Sequence, residues 1–68
     1  MEQDKMYKVL ENNLAITILD NGYQLIVMER GGWIADNIIV STPECACKVK
    51  ERFIELYNIT NIVVRMGA

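Results

Sequence analysis

The chain has 68 residues, 51% of them hydrophobic, and a net charge of −2 from seven basic and nine acidic side chains. That length allows one domain at most, and that composition argues against disorder. The bases are scattered among carboxylates instead of forming a stripe, and the acids are too sparse to imitate a DNA backbone. Direct nucleic-acid binding is therefore not expected.

A chain this short buries only about 60% of the surface its unfolded form exposes, so its core is marginal alone. Disulfides, a metal or a partner normally make up the difference. Here there are two cysteines, Cys45 and Cys47, and no histidine, which leaves the partner. Met1 is followed by Glu2, Gln3 and Asp4, unlike a signal peptide, and no apolar run approaches the roughly 18 residues of a membrane span. The expectation is a single cytoplasmic domain over residues 1–68 with reduced thiols, its first four residues frayed. No membrane contact is expected. Asn58-Ile59-Thr60 matches the N-glycosylation pattern, but without secretion it has no meaning.

In chain order, Met6 to Leu10 is a short apolar stretch before Asn12-Asn13 and is assigned as a strand, although its spacing would also suit a helical turn. Leu14 to Asp20 and Tyr23 to Arg30 flank Asn21-Gly22, a dipeptide favoured in type I′ hairpin turns. That turn would set Leu19 opposite Gln24 and Ile16 opposite Val27. Alternation then gives one face Leu14, Ile16, Ile18, Leu25 and Val27, the core side. The other face takes Ala15, Thr17, Leu19, Gln24, Ile26 and Met28.

Gly31-Gly32 marks a further turn, and Trp33 to Ser41 is the next strand, with a bulge or a late strand start expected at Asp36-Asn37. Thr42, Pro43 and Glu44 form a helix start, and Asn58 suits its left-handed end. Between them Cys45, Ala46, Val49, Phe53 and Leu56 share a side at helical spacing. Thr60 to Met66 is the last strand. The order is β-β-β-β-α-β, an α+β fold with one α-helix on one face of an antiparallel sheet of four to five strands. Two positions suit the last strand: parallel beside the strand before the helix, or antiparallel beside the first strand.

One helix covers only one face of such a sheet. Leu19, Ile26 and Met28 would lie on the other, with a set from Ile38 to Val40 and Val63. Burying four such side chains would be worth several kcal/mol at about 25 cal/mol per Å², close to the whole stability of so small a domain. Another chain is the expected cover.

No catalytic constellation is apparent. Cys45 and Cys47 point about 200° apart on a helix, so they form neither a redox pair nor a metal pair, with Cys45 expected in the core and Cys47 outside. Gly31-Gly32 lacks the spacing, lysine and helix of a phosphate loop. Asp20, Glu29 and Asp36 sit on or beside turns, where carboxylates serve solubility. No metal or cofactor is expected.

The pattern carries no family's motif set. The expected function is a non-catalytic protein-binding module, a homodimer acting as an inhibitor or accessory factor. By analogy with short phage and mobile-element products, it would block a host enzyme or defence complex. Candidate contacts are Leu19, Ile26 and Met28 on the uncovered face and Trp33, which either closes the core or anchors a partner. Tyr23 carries the same two readings, and Cys47 with Ile54 forms a second line on the helix. The alternative is a sponge for a nucleotide signal at an oligomer interface, with Trp33 or Tyr23 stacking on the base.

Overall fold

The computed structural model describes residues 12–67. The strand expected at Met6 to Leu10 lies outside them. The described chain runs β1 (Asn12–Leu19), β2 (Gly22–Met28), β3 (Ile34–Val40), α1 (Pro43–Tyr57) and β4 (Ile59–Met66). It is an α+β unit whose helix joins β3 to β4.

Among the described residues the sheet has four strands, in the order β3-β2-β1-β4. It is mixed, not wholly antiparallel as expected, because β4 pairs parallel with β1. The reason is directional. Two antiparallel steps make β3 and β1 run the same way, and a helix returning across the sheet gives β4 that direction too. The last strand does cross to the far edge, but β1 receives it in parallel.

The hairpin also departs from expectation. Leu19 lies opposite Gly22 and Ile16 opposite Leu25, so the turn residues are Asp20-Asn21. Neither they nor Gly22 takes the positive φ that a type I′ turn requires. Gly22 serves another purpose. A Cβ there would overlap the carbonyl oxygen of Val40, where β3 ends against the start of β2. The register moves by two residues, so both faces keep their side chains.

After β2, the turn at Arg30–Gly32 uses its glycines conventionally, with φ of 86° at Gly31 and 89° at Gly32. The expected bulge occurs one residue early. Val27 faces Asp36 while Met28 faces Ile34, which leaves Ala35 as the extra residue. The helix begins as its sequence dictates. Cys45 N–H donates to Thr42 Oγ1 over 3.1 Å, Pro43 opens the first turn, and Asn58 closes the last at φ 55° and ψ 52°.

The core lies between α1 and the centre of the sheet. Leu14, Leu25 and Val27 are fully buried beneath Ala46 and Phe53, with Ile16, Tyr23, Val40, Val49 and Tyr57 around them. Each fully buried aliphatic side chain is worth about 1.5–3 kcal/mol. Phe53 and Tyr57 meet edge to face at 5.6 Å. The helical stripe centres on Ala46 and Phe53, so two expected members fall outside it. Cys45 and Leu56 lie toward the β3 flank and are exposed, Leu56 at 67%. Both thiols are therefore at the surface, and the contrast expected between Cys45 and Cys47 is absent.

Candidate interaction surface

The register divides the side chains into two layers. The helix side takes Asp36, Ile38 and Val40 from β3, and Ile62, Val64 and Met66 from β4. The uncovered side takes Leu19, Ile26 and Met28 from the hairpin, Ile34 and Ile39 from β3, and Val63 and Arg65 from β4.

Leu19, Ile26 and Met28 fall together on that uncovered side, as expected, but each is half-buried by its neighbours. The exposed apolar residues of this face are Ile34, Ile39 and Val63, toward the two sheet edges. Two polar pairs lie on it. Gln24 Nε2 donates to Asn37 Oδ1 over 3.1 Å, and Arg65 Nε donates to Thr17 Oγ1 over 3.0 Å. Arg65 is thus tied down over the central strand, and with Thr17 and Gln24 it forms a polar band across the face between its apolar residues.

The other expected residues separate. Trp33 is 73% exposed and closes no core. Tyr23 is half-buried and packs against the core. Tyr23 opens β2 and Trp33 lies beside Glu29 just past its other end, about 20 Å of strand away, so they form no joint stacking site. Cys47 lines a groove of about 210 Å³ with Ile16, Ile18, Tyr23, Lys50 and Val64, between the helix and β4. Ile54, two helical turns further on, shares that flank and is half-buried. The Cys47–Ile54 line is therefore continuous with β4.

β4 itself is the residue set that periodicity did not single out. Ile62, Val63, Val64 and Met66 are 42%, 48%, 60% and 77% exposed. They project to both faces of a strand that is an edge among the described residues. Exposed apolar residues on both sides of a free edge strand invite pairing with another chain. The signal was present in the run Ile62-Val63-Val64, but an apolar run does not say whether its strand is central.

On the β3 flank, a groove of about 510 Å³ is floored by Ile38, Val49 and Phe53 and rimmed by Asp36, Lys48 and Arg52. Asp36 is engaged: its Oδ2 accepts the Tyr57 hydroxyl over 2.9 Å. That bond, with desolvation and the charges of Asp36 and Glu29, raises the Tyr57 phenol above its ordinary value. Among the described residues, no three His, Cys, Asp or Glu side chains gather as metal ligands. No described helix is long and apolar enough to cross a membrane. No family model, curated protein or solved structure matches the chain.

Proposed function

We propose that this protein is a non-catalytic binding module that acts through protein contacts, as an inhibitor or accessory factor. The observation that supports this reading is the composition of β4. It carries apolar side chains on both faces of an edge of the described sheet and one charge, Arg65, which is already bonded to Thr17. Such a strand offers main-chain donors and acceptors for affinity and alternate side chains for selectivity.

Val64→Lys tests the reading. Val64 is 60% exposed, so the free chain should tolerate lysine with little change in circular dichroism. In a complex, the ammonium would be desolvated without a partner. Association, followed by sedimentation and by affinity capture, should then be lost. A native-like variant that associates as well as the wild type would refute the reading.

A further inference from the structure

The geometry points to a second copy of this chain as the occupant of the β4 edge, an inference that rests on the binding reading above. The two β4 strands run antiparallel about a two-fold axis perpendicular to the sheet, joining the two described four-stranded sheets into one with both helices on the same side.

The backbone fixes which groups are free. Gly67 N–H donates to the Ile18 carbonyl over 2.8 Å, toward β1. By alternation, Asn61, Val63 and Arg65 also direct their N–H and C=O toward β1. Ile62, Val64 and Met66 direct theirs outward. A two-fold pairing of outward residues that keeps each side chain on its own face sets Ile62 of one copy opposite Val64 of the other. These pairs exchange N–H···O=C bonds, and Val63 meets its own symmetry mate on the axis, in the closer non-hydrogen-bonded arrangement.

Side chains favour this register. Ile62 and Val64 pair on the helix side, while Arg65 meets Asn61 on the uncovered side, so no like charges are opposed. The alternative centred on Val64 would set Arg65 against Val63. Four apolar side chains at about 100 Å² each, from both copies, cover about 800 Å² before the backbone and the Cys47 flank are counted; a specific interface needs about 1,000 Å². A symmetric pair is also the commonest closed assembly, because one self-complementary patch satisfies both copies.

The test uses the full chain with Cys45 and Cys47 replaced by serine. In that background Val63→Cys should cross-link under mild oxidation at least about ten-fold faster than Val64→Cys or Asn61→Cys. Only position 63 comes within disulfide distance of itself across the axis. Wild-type sedimentation should show a dimer that Val64→Lys converts to a folded monomer. Faster cross-linking at position 64 would overturn the register. A monomeric wild type that captures another protein, and loses it on Val64→Lys, would overturn the second copy while leaving the binding reading intact. A monomer whose capture ignores Val64→Lys would overturn both.

Discussion

The two edges of the sheet are built on different terms. β3 is interrupted by a bulge at Ala35 and carries Asp36 and Asn37 next to it, each engaged in hydrogen bonds. Bulges and polar residues twist and solvate an edge, and so discourage further strands. β4 is regular from Asn61 to Met66, and its one charged side chain turns inward to Thr17. Each strand has one register shift, at Ala35 in β3 and at Thr60 in β4, so the contrast rests on the polar pair Asp36-Asn37 of β3. The lesson is that apolar exposure alone does not mark the better docking edge. Ile34 and Ile39 on β3 are as exposed as Val64, yet Ile34 lies at the bulge and Ile39 shares its face with Asn37.

The largest expected effect sets the layer beneath the helix against the layer that both edges share. Leu25 is fully buried between Ile16 and Ile38. Leu25→Lys should cost several kcal/mol, enough to unfold a domain of this size. Its neighbour Ile26 faces the uncovered side, and Ile26→Lys should leave circular dichroism and the proposed β4 pairing unchanged while removing capture of any target on that face. If Ile26→Lys unfolds the chain, the uncovered face belongs to the core and the two layers are not distinct.

Gly22→Val should cost about 1–3 kcal/mol, read as a lower urea midpoint, since the side chain would force β3 away at Val40. Dimerisation through β4 should survive in the folded fraction, because Gly22 acts on the opposite edge. Loss of dimer from a folded variant would show that the edges are coupled.

The smallest effect concerns the tie that holds the β3 bulge. The Tyr57 phenol is raised by its bond to Asp36, so its folded value lies above the unfolded one. Stability from this bond is fully present below the ordinary tyrosine value of about 10, and is lost as pH rises through the higher folded value. Tyr57→Phe should lower the denaturation midpoint slightly at neutral pH. The gap to wild type should close at high pH, and a pH-independent gap would remove Asp36 from the account.

Local chemistry was legible in the sequence, and distant pairing was not. Thr42, Pro43 and Asn58 bound the helix because capping depends on residues within one turn. The two faces of the hairpin were assigned correctly because parity survives an error of two residues. The turn itself was misplaced because Gly22 answers to Val40, a contact far along the chain, and not to its own φ. Cys45 and Leu56 were assigned inward because the stripe's centre depends on where the helix sits over the sheet. The open character of β4 was hidden because a run such as Ile62-Val63-Val64 suits a central strand equally well.

The parallel pairing of β4 with β1 has a kinetic meaning. Contacts such as Arg65 with Thr17 and Thr60 with Asn12 join residues 48 positions apart. Closing so long a loop is entropically costly, and such high-separation contacts slow folding. The hairpin and the helix can form from nearby residues, whereas β4 becomes a strand only once β1 accepts it. The β4 edge proposed for pairing is then the last part of the described sheet to form. An assembled pair would be a report that both chains had finished folding.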